Sequence, residues 1–446
     1  MAKQSNDEVQ LWQTVAPVEF VPRVKDNNEL QALLISTRQG AGNAIAGGQI
    51  AHAIASRATH MLLDFSKSAC AIRYQIDGAW EQLPPLDRES GDAMLYALKQ
   101  LCLMNPADRR GSQKGGMQVK LVKDKYQFNV QSQGVPTGER VICRLEAEEM
   151  PFSKLADLGM RDKMIEQFKE KLNGSGNIVL ITAKKSEGVS TFWNVAISAA
   201  DRLVRDFQSF EPAESPDPEI INISPNLFGG DTGKTELEMV KRMVLREPDV
   251  LLFPNPPQPE SLQIALEQVA EADRQVIHRM AAEGAMQALL TFVGRYPDCR
   301  KLIAENIGCV IHQRLVRRLC DNCKVGFEPP PKLLAQLGIP AGRVPLLYKP
   351  FIPPPIEQQV DESGRPAPIT PCPVCNSRGY HGRIGLYEML TPGPQLKAAL
   401  GKTQDAGQLT AIAKSEGFRP VQSEAVLTVA RGLTSLDELK RAFAKR

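Results

Sequence analysis

The sequence contains no run of about 18 consecutive apolar residues, the length that a membrane-spanning helix needs. Its first residues, Met1 to Glu8, lack the apolar core of a secretory signal peptide. Neither sign of charge is in large excess, because 54 Lys and Arg face 51 Asp and Glu and leave a net charge of +3. That charge is too small to indicate nucleic-acid binding by itself. We therefore expect a cytoplasmic protein that does not bind nucleic acid.

A chain of 446 residues is long enough for two or three domains. Its composition, with 42% hydrophobic and 24% charged residues, is that of an ordinary globular protein. Changes of pattern along the chain predict an N-terminal extension over residues 1–28, an α+β domain over 29–150, a linker over 151–172, an α/β domain over 173–318, a tetracysteine module with a Pro-rich insertion over 319–390, and a helical region over 391–446.

The first of these domains mixes helical and strand-like patterns. Apolar residues at helical spacing predict helices over 29–36, 44–55 and 91–104. Alternating patterns predict strands over 60–65, 69–76, 116–122, 125–130 and 139–145. Asp77-Gly78 follows the second strand and is a hairpin signal.

The second domain alternates strands with helices. We predict strands over 177–183, 219–223, 249–253 and 274–278, and helices over 192–200, 235–246 and 260–270. Alternation of this kind indicates a parallel sheet flanked by helices. Residues 325–371 are Pro-rich and predicted to be irregular, and residues 395–446 are predicted to be helical.

A buried strand that ends at Ala183 is followed by a tight loop and a helix start, the layout of a phosphate-binding P-loop. The motif G-x-x-x-x-G-K-[ST] places its first Gly on Ala183 and its Lys on Val189. Its second Gly is present as Gly188, and the hydroxyl that would bind Mg²⁺ is present as Ser190. Gly188, Ser190 and Thr191 are therefore the candidate nucleotide-binding residues of a degenerate P-loop.

A second segment, Gly229 to Thr235, also ends in Gly-Lys-Thr. Its first Gly is one residue too close to the Lys for the P-loop motif. We interpret it as a loop followed by a helix N-cap at Thr235.

Four of the nine cysteines form two C-x-x-C pairs, and two such pairs supply four thiolates for a tetrahedral Zn²⁺ site. The 48 residues between the pairs exceed the usual spacing, but the cost of closing a loop grows slowly with its length. Because every ligand position is a Cys, the site is predicted to be structural. The predicted ligands are Cys320, Cys323, Cys372 and Cys375. The scattered cysteines, Cys70, Cys102, Cys143, Cys299 and Cys309, are predicted to be core residues.

Several segments resemble the ATPase family of type II secretion and type IV pilus assembly (GspE/PilB-like) in a consistent order from about residue 30. The run from Gln313 to Lys324 resembles the family segment QRLVRRLC-x-x-C, and the run from Gly379 to Glu388 resembles its GY-x-GR-x-G-x-YE segment. Similar matches occur at residues 73–78, 106–110, 138–144, 246–252 and 432–441. The resemblance implies a PAS-like N-terminal domain, a RecA-like P-loop domain, a hexameric ring, and association with an inner-membrane platform protein.

The departures from the family pattern lie on its chemistry. The P-loop Lys is replaced by Val189, and the Glu that would polarise the attacking water is replaced by Asn255. The acidic box aligns with Ile223-Ser224-Pro225, without either acid, and the His of the histidine box falls on Met280. Phosphoryl transfer needs charge neutralisation and positioning by such groups. These losses argue against ATP and Mg²⁺ as working cofactors, and no residue is assigned a catalytic role.

We therefore expect a pseudo-ATPase that acts as a ring subunit, scaffold or regulator at a secretion or pilus platform, in a homohexamer or in a mixed hexamer with an active paralogue. The alternative is a working ATPase motor with rearranged catalytic groups, in which Lys184 or Lys185 replaces the missing Lys. A third hypothesis is an unassembled, zinc-stabilised binding protein. Measuring whether the protein is a ring or a monomer separates this last hypothesis from the others.

Overall fold

The structure is a computed structural model that describes residues 10–149, 151–355, 358–359, 365 and 367–444. The chain divides between residues 151 and 152 into two compact units. None of the helices in the described residues is long and apolar enough to cross a bilayer.

The N-terminal unit is a seven-stranded sheet with three helices. Its helices are α1 (Asn27–Arg38), α2 (Ala41–Ala55) and α3 (Arg88–Leu101). Its strands are β1 (Glu19–Pro22), β2 (Ala58–Phe65), β3 (Ala69–Ile76), β4 (Ala79–Asp87), β5 (Gln113–Leu121), β6 (Asp124–Val135) and β7 (Gly138–Ala147).

All neighbouring strands of this sheet are antiparallel, in the order β1-β5-β6-β7-β2-β3-β4. Alternate residues of β3 are buried, and they pack with α2 and α3 in one apolar core. The predicted hairpin joins β3 to β4, and Asp77 and Gly78 both have positive φ angles, 50° and 81°. Positive φ at both central positions is what a type I′ turn requires.

Two edge strands of this unit escaped the sequence prediction. Strand β1 lies within the predicted extension 1–28, which is therefore wrong for residues 19–22, and Val18 and Phe20 are buried in the core. Residues 1–9 of that extension lie outside the described residues. Both edge strands contain Pro, at Pro22 in β1 and at Pro84 in β4, and Pro is tolerated at a sheet edge although it weakens a strand pattern.

The C-terminal unit contains the remaining elements. Its helices are α4 (Asp162–Leu172), α5 (Val189–Ser198), α6 (Glu236–Val244), α7 (Pro259–Ala272), α8 (Ala285–Arg295), α9 (Arg300–Asn306), α10 (Pro331–Gln336), α11 (Pro394–Leu400), α12 (Ala406–Ser415), α13 (Val421–Ala430) and α14 (Leu436–Phe443). Its strands are β8 (Asn177–Ala183), β9 (Phe207–Pro212), β10 (Ile223–Phe228), β11 (Val250–Phe253), β12 (Gln275–Ala281), β13 (Ile307–Leu319), β14 (Val325–Phe327), β15 (Leu347–Lys349) and β16 (Tyr380–Leu390).

The main sheet of this unit has the order β10-β9-β11-β12-β8-β13-β16 and is parallel except for its last strand. Helices cover both faces, so β8 is buried on both sides. Ile178 and Leu180 belong to one apolar core, while Val179 and Ile181 belong to the other. The predicted α/β fold class, with a parallel sheet, is confirmed.

The structure differs from the sequence predictions at four places in this unit. The predicted strand 219–223 is wrong, because residues 219–222 lie outside any strand and β10 begins at Ile223. Strand β9 was not predicted at all. The predicted module 319–390 is not separate from the α/β domain, because β16 pairs with β13 at the edge of the main sheet. Its Pro-rich stretch also contains β14, α10 and β15.

Candidate functional site

The P-loop remnant connects β8 to α5 at the carboxyl edge of the main sheet. Its backbone passes through two left-handed positions, Ser186 with a φ of 66° and Gly188 with a φ of 78°. Gly188 is the N-cap of α5, and the Phe192 amide donates to its carbonyl at 2.9 Å. Successive turns of this kind leave backbone N–H groups facing a common concavity, which is the geometry of a phosphate cradle.

Contacts with β13 hold this loop in place. The Gln313 side-chain amide donates to the Glu187 carbonyl at 2.9 Å, and the Leu315 amide donates to the Glu187 carboxylate at 3.0 Å. Gln313 is itself held by the Tyr387 hydroxyl, which donates to its side-chain oxygen at 2.8 Å. The loop is thus held at both the backbone carbonyl and the side-chain carboxylate of Glu187.

The candidate residues lie where the motif predicts, at the start of α5. Ser190 is exposed, whereas Val189 and Thr191 are half-buried. Of the two lysines of the loop, Lys184 forms an ion pair with Glu283 at 2.9 Å, and Lys185 is exposed. The half-buried position that follows Gly188 therefore presents two methyl groups in place of an ammonium group.

A single guanidinium group links the carboxyl ends of several strands. Arg279, near the end of β12, donates from Nε to the Pro254 carbonyl just beyond β11, at 2.8 Å. Its Nη1 lies 2.9 Å from the Asp217 carboxylate, in the segment that follows β9. Its other side faces the Trp193 ring of α5, with Cζ 5.5 Å from the centroid. The crevice outside the strand ends is where ligands bind in open α/β sheets, and here a pair of the protein's own charges bridges it.

The predicted position of the acidic box is wrong. The family pattern places that box after the second strand of the domain, and the second strand is β9, so Ile223 to Pro225 instead open the third strand, β10. Glu211, near the end of β9, supplies a carboxylate at this position. It is buried, and it accepts hydrogen bonds from the Ser209 hydroxyl at 2.5 Å and from the Asp217 amide at 2.8 Å.

The residues that replace the other catalytic groups are constrained by their surroundings. Asn255 lies two residues beyond β11 and is flanked by Pro254 and Pro256, which have no backbone N–H to offer. Met280 lies within β12 and is half-buried. His278, two residues earlier, is buried and donates from Nδ1 to the Phe253 carbonyl at 2.7 Å. Burial lowers the pKa of His278 to about 4, so the imidazole is neutral at pH 7.

Sequence reasoning missed the group formed by Glu211, Asp217 and Arg279. The available signal was polar residues inside apolar strands, at Ser209 and Glu211 of β9 and at His278 and Arg279 of β12. Buried polar side chains need partners, and such a pattern marks positions where strands exchange side-chain contacts.

The second Gly-Lys-Thr segment is a loop and a helix cap, as predicted. The Glu238 amide donates to the Thr235 hydroxyl at 3.2 Å, and the Glu238 carboxylate accepts from the Thr235 amide at 2.8 Å. This reciprocal pair is a capping box at the start of α6.

The four predicted zinc ligands come together beside the end of β13. Their sulfur atoms all lie within 4.8 Å of one another, with 3.8 Å between Cys320 and Cys372 and 3.6 Å between Cys323 and Cys375. A tetrahedral Zn²⁺ with bonds of about 2.3 Å separates its sulfur ligands by roughly 3.8 Å. The donor set therefore fits zinc, which when bound would supply a structural cross-link.

Local hydrogen bonds favour a thiolate at one of the four cysteines. The Cys375 amide lowers the pKa of the Cys372 thiol to about 6, and the Asn322 side-chain amide donates to the Cys372 sulfur at 3.3 Å. The Cys320 amide donates at 3.0 Å to the carbonyl of Gly379, four residues beyond the second pair. The five scattered cysteines are buried in the apolar cores, as predicted.

The described geometry can be compared with known proteins. A family model described as "Type II/IV secretion system protein" matches residues 43–441. The chain is 25% identical over 373 residues to the type IV pilus assembly ATPase PilB of Thermus thermophilus, covering 82% of this chain and 39% of that protein. It is also 25% identical over 386 residues to PilB of Acinetobacter baylyi, covering 84% and 61%. The chain thus spans less than two thirds of the length of these relatives.

The chain covers a larger share of the Escherichia coli protein transport protein HofB homolog. The two are 24% identical over 394 residues, which are 88% of this chain and 79% of that protein. Among solved structures, the DotB ATPase of Legionella pneumophila has a TM-score of 0.54 at 14% identity and covers 88% of this chain and 94% of that chain. The Yersinia pseudotuberculosis DotB ATPase has a TM-score of 0.55 at 13% identity, and the match covers 88% of this chain and 92% of that chain. These structures support the fold, and the family match, which extends over most of the sequence, shows that the chain belongs to the type II/IV secretion system protein family of secretion and pilus ATPases.

Proposed function

We propose that this chain is a non-hydrolysing ring subunit, which acts as a scaffold or regulator beside an active paralogue in a secretion or pilus-assembly machine. The proposed ring is a hexamer, homomeric or mixed, that docks through partners on an inner-membrane platform protein. The observation that carries the proposal is Val189. A preserved loop backbone places an aliphatic side chain where the P-loop motif requires a Lys that reaches the β- and γ-phosphates.

Two nearby cations are already paired with acids, and Lys185 is exposed at the surface. Lys184 is paired with Glu283 at 2.9 Å, and Arg279 is paired with Asp217 in the crevice at the strand ends. Asn255, at the position of the acid that would activate water, carries an amide that cannot accept a proton. General-base assistance is commonly worth about two to four decades in rate.

The alternative function is a working motor, and Glu211 is the observation in its favour. This carboxylate ends the second strand of the domain, where the family carries acids. Its two oxygens, however, already accept hydrogen bonds from the Ser209 hydroxyl and from the Asp217 backbone amide. We therefore regard Glu211 as part of the bridge across the crevice.

Binding of Mg-ATP to the purified protein, with phosphate release followed in the same sample, tests the proposal. We expect release no faster than that of Ser190→Ala, which lacks the hydroxyl for Mg²⁺. Val189→Lys is the matched gain-of-charge variant and is expected to bind Mg-ATP more tightly than the natural chain. Steady turnover by the natural chain that Ser190→Ala abolishes would show that the protein is a motor.

The ring and its composition need a separate measurement. The chain, alone and mixed with an active family member from the same cell, is examined by native mass spectrometry. We expect hexamers that contain this chain in one or both samples. Monomers in both samples would favour the unassembled binding protein instead.

A further inference from the structure

The segment that follows the boundary between the two units lies on the last strand of the main sheet. This docked segment, residues 152–160, begins at that boundary and precedes α4. The Gly385 amide of β16 donates to the Leu158 carbonyl at 2.9 Å. A Cβ atom on Gly159, whose φ is 91°, would lie 2.3 Å from Ile384 Cγ1. The docked segment therefore touches β16 closely, at a position with little room for a side chain.

The docked segment is a compact turn with its own internal contacts. The Asp157 carboxylate accepts from the Ser153 amide at 3.0 Å and from the Lys154 amide at 2.8 Å. Leu155 and Met160 are buried in an apolar core of the C-terminal unit. Because the turn is held by its own hydrogen bonds, it can dock on the strand or leave it as one piece.

The ring of Tyr387 lies between the docked segment and the P-loop remnant. Tyr387 is 2% exposed, and Gly385 leaves room for it, because a Cβ atom there would lie 2.5 Å from the hydroxyl oxygen. That oxygen is 2.8 Å from the Gln313 side-chain oxygen and 3.4 Å from the Leu158 carbonyl oxygen. Burial raises the pKa of Tyr387, so the hydroxyl keeps its proton and is the donor. The ring also makes an edge contact with Phe192 of α5, with 5.3 Å between the centroids.

Gln313 connects this hydroxyl to the loop. Its side-chain nitrogen donates to the Glu187 carbonyl at 2.9 Å and would lie 3.4 Å from a Cβ atom on Gly188. The Glu187 amide donates to the Lys184 carbonyl at 3.0 Å and closes the turn of the loop. A side-chain amide has an acceptor oxygen on one side and a donor nitrogen on the other. The hydroxyl of Tyr387 therefore selects the orientation in which Gln313 donates to the loop.

We propose that docking of residues 152–160 and closure of the P-loop remnant are coupled through Tyr387 and Gln313. When the segment leaves β16, water reaches the Tyr387 hydroxyl and competes for its proton, the Gln313 amide can turn, and the loop loses its donor. Docking and closure then stabilise each other, and each changes the equilibrium of the other by the same factor.

This coupling would regulate the site of the proposed function from the boundary between the units, and not through a nucleotide. It rests on the proposed non-hydrolysing subunit only for its use, because the contacts that carry it include no ligand. Its test therefore needs no nucleotide, and its failure would leave the phosphate-release test of the proposed function unaffected.

Hydrogen exchange of the full chain without nucleotide tests the coupling, with the Gly385 amide reporting docking and the Glu187 amide reporting loop closure. Gly159→Ala opposes docking, because its φ of 91° and the contact with Ile384 both disfavour a side chain. We expect exchange to become about tenfold faster at both amides, the effect of losing one ordinary hydrogen bond. If this variant does not fold, Asp157→Ala opens the same turn from an exposed position.

Tyr387→Phe shows whether the two effects are linked, because it keeps the ring and removes the hydroxyl. In this background Gly159→Ala should still speed exchange at Gly385, but it should change exchange at Glu187 by less than about twofold, the usual limit for independent sites. A purely structural role of Tyr387 would leave the effect on Glu187 at its full size.

The matched control is Tyr296→Phe, which removes another buried hydroxyl of the same unit, a donor to the Pro257 carbonyl at 2.8 Å. In that background Gly159→Ala should speed exchange at Glu187 as it does in the natural chain. The Leu180 amide of the central strand β8 reports general loosening and should not change in any variant.

Four results would overturn the proposal. Exchange could rise at Gly385 alone, or rise equally at Leu180, which would indicate unfolding of the whole unit. The effect on Glu187 could be the same with and without the Tyr387 hydroxyl. Finally, unchanged exchange at Gly385 in the docking variants would show that these contacts do not hold the segment on β16.

Discussion

At the scale of single residues, the guanidinium group of Arg279 occupies the crevice at the strand ends. It makes contacts there that a bound ligand could otherwise make. It joins the ends of β11 and β12 to the segment after β9 and packs on α5. Its side chain is 11% exposed and that of Asp217 is 18% exposed, so this pair is screened far less than a surface ion pair. The energetic cost of losing either partner should accordingly be large.

We predict that Arg279→Gln lowers the free energy of unfolding of the C-terminal unit by about 3 kcal/mol, because it leaves Asp217 as an unpaired, largely buried charge. The control is Arg274→Gln, whose partners Glu247 and Asp249 are far more exposed and lie 3.8 and 3.6 Å away. It should cost less than about 1 kcal/mol. Urea unfolding measures both, and equal losses in the two variants would contradict the bridging role of Arg279.

A second residue-scale prediction concerns pH. Because burial lowers the pKa of His278 from 6.5 to about 4 in the folded state, protonation favours the unfolded chain. The stability that depends on the neutral ring is fully present above pH 6.5 and is lost as pH falls towards 4. This loss amounts to about 3 kcal/mol by the conversion of 1.36 kcal/mol per pKa unit.

His278→Gln is the variant that isolates this effect, because Gln keeps an N–H donor for the Phe253 carbonyl but does not titrate. Its unfolding free energy, measured in urea between pH 7 and 4, should fall less steeply than that of the natural chain. Parallel pH profiles for the two proteins would mean that His278 is protonated in the folded state as easily as in the unfolded state.

At the scale of elements, strand β8 could be predicted from its two apolar faces, whereas strand β9, with its buried polar groups, could not. The pattern of β8 was sufficient because both faces are apolar, and the cap of α6 was visible as Thr235 followed by Glu238. Strand β9 carries Gln208, Ser209 and Glu211, which are buried only because neighbours such as Asn226 satisfy them. Asn226 lies on the neighbouring strand β10, and a pattern read along β9 alone does not reveal such a partner.

Glu388 of β16 forms hydrogen bonds to the starts of two helices that are far apart in the sequence. Its carboxylate accepts from the Ala285 amide at 2.5 Å and from the Val421 amide at 2.7 Å, the first residues of α8 and α13. Each helix start carries unpaired N–H groups and a partial positive charge. One buried carboxylate therefore caps two helices at once.

We predict that Glu388→Gln destabilises the C-terminal unit by about 2 kcal/mol, since the amide keeps one acceptor oxygen and leaves one helix start without its partner. Glu305→Gln, at an exposed position near the end of α9, is the control and should be close to neutral. Thermal melts measure both. Hydrogen exchange should locate the loss at the first turns of α8 and α13, and a loss confined to β16 would argue against the shared cap.

At the scale of the whole molecule, the sequence predicted the α/β class and the four cysteines, but not how far the main sheet extends. The family resemblance covered the catalytic motifs, yet the acidic box was placed one strand too late because β9 was missed. A site whose residues come from separate strands can be located only once the fold is known, whereas a site formed by a short sequence motif can be predicted from the sequence.

Removal of the predicted metal tests the tetracysteine centre in the intact chain. We expect one zinc per chain by elemental analysis, and none in Cys320→Ser/Cys323→Ser. The variant should melt at a lower temperature, because the link between residues 320 and 375 is lost, while unfolding of the N-terminal unit is unchanged. Cys299→Ser, a buried cysteine outside the cluster, should keep its zinc. Zinc at equal stoichiometry in both variants would rule out this centre.

The hydrogen bonds from Gln313 and Leu315 to Glu187 affect how often the P-loop remnant opens. Ligand-binding loops are usually among the first parts of a protein to open, because the ligand completes their contacts. Here β13 completes them, so the loop should open rarely, and the Glu187 amide, which donates to the Lys184 carbonyl at 3.0 Å, should exchange its proton slowly with solvent. In the mixed ring that we propose, such a subunit would keep its loop in one conformation while an active neighbour turns over nucleotide.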